Sequence, residues 1–189
     1  MVEAAGRLFA ERGYVATTME AIAGEAGVAV QTVYAAFGTK RAILSRLVDI
    51  AVVGDERPVP LLEREGPQAV VHERDQRRQI AMFAQGITEI MGRVSPLFAV
   101  IRAAAPAEPE IATLLGGLLQ QRLEGMRFFV DALAANGSLR AGMTRGRAAE
   151  TVWALSSPEV HRLFTVTRGW SPKRYEAWLQ DMVEAALLP

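Results

Sequence analysis

The 189-residue sequence has no cysteine. A disulfide framework and a thiolate metal site are therefore both excluded. Histidine is nearly absent as well: His72 and His161 are the only two, far apart in the chain, and no metal ion is expected. Net charge is zero, with 21 basic residues against 21 acidic ones, so the chain as a whole has no electrostatic pull on an anionic partner. No apolar run reaches the ~18 residues that a bilayer-spanning helix needs, and no membrane partner is expected. The N-terminus lacks the charged, apolar and small-residue succession of a signal peptide, which points to a cytoplasmic protein. No segment alternates polar and apolar residues for long enough to be a strand. Without a strand there is no glycine-rich phosphate cradle of the P-loop or Rossmann kind. A G-x-S-x-G elbow is missing too, and no carboxylate pair has a context for acid–base work. No catalytic residue and no cofactor are expected, and the chain does not read as an enzyme.

What remains is helical. Half of the residues are hydrophobic, and they recur at helical spacing, so the fold class reads as all-α. Val2, Ala5, Leu8 and Phe9 give a first helix an apolar face, which Gly13 ends. Lys40 to Val53 carries a wide stripe of Ile43, Leu44, Leu47, Val48 and Ile50, closed by Gly54. Residues 54–67 hold Pro58, Pro60, Gly66 and Pro67 and read as a linker. The expected division is a domain of residues 1–54 and a larger helical domain of residues 55–189. In the second, the charged run His72–Gln79 reads as a solvated face. A helix with Ile80, Phe83, Ile87, Ile90, Met91 and Val94 follows. Ser95-Pro96 reads as the start of another helix. The longest helix is expected from about Glu108 to Ala135, ended by a left-handed cap at Asn136-Gly137. Its interior glycines Gly116, Gly117 and Gly125 allow either close helix approach or room for a guest. Further helices are expected from about Gly146, from Ser157-Pro158 and from Ser171-Pro172 to the end.

The most informative stretch is Thr17–Lys40. Thr17 and Glu20 have capping-box spacing, and Ile22, Ala23 and Ala26 then fall on one helical face. Gly27 can stop that helix in a left-handed conformation, and Val28 reads as a buried elbow. Val33 and Phe37 give a second short helix its apolar seam, while Gln31, Thr32 and Tyr34 point elsewhere. Helix, glycine turn, helix is the helix-turn-helix pattern, and a small uncharged second helix can enter a major groove. Thr39 then reads as the N-cap of a third helix. Lys40 in its first turn opposes the helix dipole, an arrangement that a bound phosphate would compensate.

On these residues the sequence resembles the N-terminal domain of the TetR family of transcriptional regulators. The matching runs are A-A-x-x-L-F-A-E-R-G-Y from Ala4 to Tyr14, T-T-M-E-A-I-A from Thr17, A-G-V from Ala26 and T-V-Y-A-A-F-G-T-K from Thr32 to Lys40. The resemblance implies a helix-turn-helix three-helix DNA-binding domain followed by a larger helical domain for ligand binding and dimerisation. It implies a homodimer that binds a palindromic double-stranded DNA operator and a small-molecule effector that releases it, in most members as a repressor. Carried over by position, the DNA contacts are Thr18, Val30, Gln31, Thr32, Tyr34, Thr39 and Lys40. Gln31 would pair with adenine, Val30 and Thr32 would meet thymine methyls, and the others would hold phosphates. Two departures stand out. Ala29 occupies an N-cap position where many members have Ser or Thr. The sequence also begins inside what should be the first helix, so the basic arm that the resemblance implies ahead of it is expected to lie outside this sequence.

Charge motivates an alternative. In residues 1–57, Arg7, Arg12, Lys40, Arg41, Arg46 and Arg57 face Glu3, Glu11, Glu20, Glu25, Asp49, Asp55 and Glu56, six against seven. A DNA-binding domain ordinarily has a basic footprint; here it would be local, chiefly Lys40 and Arg41. The alternative is an all-α ligand-binding dimer that has lost DNA binding. For the larger domain, the Met and aromatic content of the middle helices places an apolar ligand site at Phe83, Ile87, Phe98, Ile101, Arg122, Met126 and Phe129. The large apolar residues near the chain's end place the dimer interface at Val152, Trp153, Leu155, Trp178, Leu179 and Met182.

Overall fold

Apolar side chains at three- and four-residue intervals build every element of this protein. The computed structural model describes residues 1–189, which form helices and no strand. The helices are α1 (Val2–Ala16), α2 (Met19–Ala26), α3 (Val30–Phe37), α4 (Lys40–Val53), α5 (Glu65–His72), α6 (Gln76–Ala104), α7 (Pro109–Asn136), α8 (Arg145–Leu155), α9 (Pro158–Arg162) and α10 (Pro172–Leu187). A short 3-10 turn, Leu61–Glu63, precedes α5, and a π-helical turn, Leu163–Thr167, continues α9. No helix is long and apolar enough to cross a membrane.

The chain divides into two compact units. One contains residues 1–56 and 96–118, the other residues 57–95 and 119–189. The sequence placed a boundary after residue 54; the segment 96–118 belongs with the first unit although it lies far along the chain. The long helices α6 and α7 each contribute to both units. They pass from one to the other beside Pro96 and just after Gly116-Gly117.

In the first unit, Phe9, Ile22, Val33, Ile43 and Leu44, one or two from each of α1 to α4, have no solvent exposure. Full burial of such a side chain contributes ~1.5–3 kcal/mol, and Leu8, Tyr14, Met19 and Val48 add to the same core. Gly13 leaves helical geometry (φ 76°, ψ 173°) and kinks the end of α1. Gly27 (φ 67°, ψ 31°) ends α2 in the left-handed region that its lack of Cβ permits. Two expectations are corrected here. The N-cap of α2 is Thr18, whose hydroxyl accepts from the Ala21 N–H at 3.1 Å. Thr17 is buried instead, and its hydroxyl donates to the Gly13 carbonyl at 2.7 Å. Val28 is no buried elbow but lies on the surface.

In the second unit, Ile80, Ala84, Val130, Leu133, Val152, Tyr175, Leu179 and Val183 make a fully buried core drawn from α6, α7, α8 and α10. Four expectations fail in this half of the chain. Ser95-Pro96 does not start a helix: α6 runs through Pro96, and at 29 residues it is longer than α7. The Ser95 hydroxyl is unavailable as a cap because it lies buried against His161 Nδ1 at 3.0 Å. Pro96 itself is solvent-exposed, while Met91, Val94, Phe98 and Ile101 carry one buried stripe past it. The end of α7 has no left-handed cap, since Gly137 does not have positive φ. The Gln76 amide donates to the Leu133 carbonyl at 3.0 Å, and a Cβ on Gly137 would sit 2.6 Å from Gln76 Oε1. Glycine at 137 thus makes room for a side-chain cap from α6. At the three glycines inside α7 nothing of the same chain lies within 4 Å of a Cβ. The run His72–Gln79 is not one solvated face: it contains the break between α5 and α6, and Gln79 is buried, donating to the Val70 carbonyl at 2.9 Å.

Candidate nucleic-acid interface

The α2–turn–α3 segment is built locally. Val33 anchors α3 with no exposure, and Phe37 is half-buried beneath it. With these facing inward, helical geometry turns Gln31, Thr32 and Tyr34 outward, and all three are exposed. Val30 is half-buried at the start of α3. Ala29 stands at the N-cap without a side-chain hydrogen bond, and the Thr32 N–H donates to the Ala29 carbonyl at 3.0 Å. An exposed amide, a hydroxyl and a phenol on a narrow helix can offer donors and acceptors to base edges.

Thr18 and Thr39 cap the helices on either side. Each hydroxyl accepts from the N–H three residues on, Ala21 and Ala42, at 3.1 Å. A hydroxyl that accepts still has its own hydrogen to donate, so both caps can also bind an oxyanion. Lys40 behaves otherwise. Its ammonium donates to the carbonyls of Tyr14 at 2.8 Å and Thr17 at 2.7 Å, and it lies 4.2 Å from the Tyr14 ring centroid. Two of its three N–H donors therefore fasten α4 to the end of α1. Loss of water lowers its pKa from the ordinary lysine value, partly offset by Glu108 and Glu110. Arg7, a basic residue of α1, pairs with Glu25 at 3.0 Å.

Sequence reasoning missed Tyr14 and Glu110. The Tyr14 hydroxyl donates to Glu110 Oε1 at 2.9 Å across 96 residues of sequence. Burial, and next the bond to Glu110, push the Tyr14 pKa well up, so the phenol stays protonated and donating. Nothing local signals such a pair.

The residues expected to line a ligand site fall in two places. Phe83, Ile87, Arg122, Met126 and Phe129 lie in the second unit, Phe98 and Ile101 in the first. The six apolar ones are all buried, and Phe83 stacks on Phe129 with centroids 4.0 Å apart. Arg122 is half-buried and donates through Nη2 to the carbonyls of Trp153 at 3.0 Å and Ser156 at 3.2 Å. A cation there completes the end of α8. The Val152 carbonyl accepts from the Ser156 hydroxyl at 2.7 Å, that of Ala154 from the Ser157 N–H at 3.2 Å and that of Leu155 from the Tyr175 hydroxyl at 3.5 Å. All four orphan carbonyls of α8 are thereby met.

Of the expected interface residues, Val152 and Leu179 are wholly buried within the single chain and serve its core. Trp153 and Leu155 are half-buried, with the Trp153 indole donating to the Leu119 carbonyl at 3.2 Å. Trp178 packs on Phe164 at 4.5 Å and Tyr175 at 5.7 Å, and Met182 is exposed. Leu163 and Val166 of the π-helical turn, 54% and 63% exposed, are the most exposed large apolar residues of the second unit, a surface the sequence did not single out.

Residues 1–47 match the family model for bacterial regulatory proteins of the TetR family. No curated protein matches the chain. Among solved structures, a complex of SmeT with triclosan is similar over all of this chain and 90% of its own, at 18% identity and a TM-score of 0.77. SmeT is the repressor of the Stenotrophomonas maltophilia multidrug efflux pump SmeDEF. NalD, the secondary repressor of the MexAB-OprM multidrug efflux pump in Pseudomonas aeruginosa, is similar over 99% of this chain and 94% of its own, at 18% identity and a TM-score of 0.70. A Saccharomonospora viridis protein in complex with choline is similar over 100% and 95%, at 19% identity and a TM-score of 0.70. Identities this low speak for the fold, and the family match speaks for the reading unit. Residues 1–47 thus match the N-terminal domain of TetR-family regulatory proteins, and the chain as a whole has the fold of these solved structures.

Proposed function

We propose that the protein is a homodimeric, ligand-responsive regulator, a repressor that a small molecule releases from a palindromic operator. The observation that carries this is the α2–α3 corner. Gly27 sets the turn, Val33 buries one face of α3, and Gln31, Thr32 and Tyr34 stand free on the other. Gln31 pairs with an adenine, Val30 and Thr32 meet thymine methyls, and Thr18, Tyr34, Thr39 and Lys40 bind phosphates. Lys40 has one N–H and its charge left for that role.

The effector site lies in the second unit around Phe83, Ile87, Arg122, Met126 and Phe129. Ligand response draws support from neighbours of this fold, one with triclosan bound and one with choline. An effector that binds the DNA-incompetent state better must lower operator affinity by the same coupling free energy. The two-fold interface uses Trp178 and Met182 of α10 with Leu163 and Val166, apolar groups that a second copy would cover. A mobility shift with the chain's own upstream DNA tests the proposal: a retarded band at dimer stoichiometry supports it. Absence of a shift at any salt would favour the second reading, a ligand-binding dimer without DNA affinity, for which the six-to-seven charge balance of residues 1–57 speaks.

A further inference from the structure

Tyr14 closes the kinked end of α1 and is only 2% exposed. Its ring carries the Lys40 ammonium at 4.2 Å, and its hydroxyl reaches Glu110 in the first turn of α7 at 2.9 Å. Lys40 is the first residue of α4 and also holds the Thr17 carbonyl at 2.7 Å, next to the Thr18 cap of α2. The Thr17 hydroxyl in turn holds the Gly13 carbonyl at 2.7 Å. One tyrosine thus joins the end of α1, the entry to α2, the start of α4 and the start of α7. Glu108 and Glu110 add negative charge beside the ammonium, which opposes the cost of removing it from water. From Glu110, α7 runs unbroken to the segment with Met126 and Phe129.

We infer that Glu110 is a positioning residue for operator binding: it holds the Tyr14 hydroxyl and, through the Tyr14–Lys40 contact, fixes the entries to α2 and α4 that frame α3. This rests on the DNA-binding function proposed above. Glu110 touches no base or phosphate in this role. It raises the fraction of molecules whose reading helix is already in place, and apparent affinity scales with that fraction.

The test uses the whole chain and the DNA sequence it selects from a random pool. Tyr14→Phe keeps the ring under Lys40 and removes only the hydroxyl; Glu110→Ala removes the acceptor; Glu110→Gln keeps an acceptor oxygen without charge. Tyr14→Phe and Glu110→Ala should each weaken binding about fivefold, the equivalent of one ordinary hydrogen bond. The double variant should be no weaker than either single one, and Glu110→Gln should restore most of the affinity lost in Glu110→Ala. A purely structural role would lower the melting temperature and leave the affinity of the folded protein unchanged. That result, additive losses, or a Gln variant as weak as the Ala variant would overturn the inference. If the unaltered chain selects no sequence at all, the proposed function fails first, and the role of Glu110 with it.

Discussion

Helices α2 to α4 of the reading domain and the helices of the second unit end by different means. In residues 1–56, α2, α3 and α4 stop at Gly27, Gly38 and Gly54, all at positive φ, while at the kinked end of α1 the Tyr14 and Thr17 carbonyls are met by Lys40 across 26 and 23 residues. In the second unit no left-handed glycine ends α5, α7, α8 or α10, whereas the π-helical turn after α9 runs into one, Gly169 at φ 66°. There the last carbonyls are met from afar. Gln76 serves Leu133 across 57 residues, Arg122 serves Trp153 across 31, and Arg140 serves Leu188 across 48. The N-termini do not differ in this way, since Thr18, Thr39, Thr144, Ser157 and Ser171 all cap locally. The ends of α2, α3 and α4 are therefore set by residues a few places apart, and those of α1, α7, α8 and α10 by side chains that must first be brought together.

The sharpest way to break this comparison is Arg122→Met, which keeps the stem and removes the fork. Hydrogen bonds from a charged group contribute ~1.5–3 kcal/mol each, and two backbone carbonyls lose their partner. Urea unfolding should show a loss of about 3 kcal/mol. A loss below about 1 kcal/mol would mean that water replaces the guanidinium and that remote capping matters little. Gly27→Ala addresses the other side. A side chain in the left-handed region costs roughly 1–2 kcal/mol, and Asn, which tolerates that region, should cost less. Nothing lies within 4 Å of a Cβ at Gly27, so the penalty isolates the backbone term. Equal losses for Ala and Asn would show that something other than φ decides the site.

This difference explains what the sequence could disclose. The α2–α3 corner, the stops at Gly27 and Gly54 and the Thr39 cap were legible because each rests on a residue and its near neighbours. The Thr17 assignment failed although the competing partner is local: its hydroxyl turns back to the Gly13 carbonyl in the kink of α1, four residues earlier, and the cap moved one residue on to Thr18. Ser95-Pro96 has every local mark of a helix start, yet His161, 66 residues away, occupies the serine. Arg122 sits at an interior position of α7 and says nothing locally about α8. The Tyr14–Glu110 pair, at 96 residues' separation, had no local signal at all.

His161 gives a pH test confined to the second unit. The unfolded imidazole takes up a proton near pH ~6.5. Burial, and next the Arg162 charge, hold the folded one below that. The unfolded state then binds more protons between the two values. This contribution is complete above pH ~6.5 and is lost as pH falls toward the folded value, at no more than about 1.4 kcal/mol per pH unit. All three tryptophans, Trp153, Trp170 and Trp178, lie in the second unit, so their fluorescence follows it alone. Urea midpoints read this way at about pH 7.5 and about pH 5.5 should separate for the natural chain and draw together in His161→Gln. A variant with an unchanged separation would assign the acid sensitivity to the carboxylates.

The smallest effect expected concerns Gly116 and Gly117, just before α7 leaves the first unit. Both are exposed, neither has positive φ, and a Cβ at either would meet open space. Packing therefore gives no reason for glycine at these positions. Glycine inside a helix costs ~0.8–1.0 kcal/mol relative to alanine. Gly116→Ala and Gly117→Ala should each raise stability by up to that amount, with no cavity or clash to offset it. Because the gain is a backbone term, it should also slow amide exchange in the peptide that spans the middle of α7 and leave exchange in α2 and α3 unchanged. Slower exchange in both places would show that the local ordering of α2 and α3 depends on α7, and the contrast between locally ended helices and remotely capped ones would have to be redrawn. A stability loss in either variant would reveal a contact at these glycines that the open space around them does not predict.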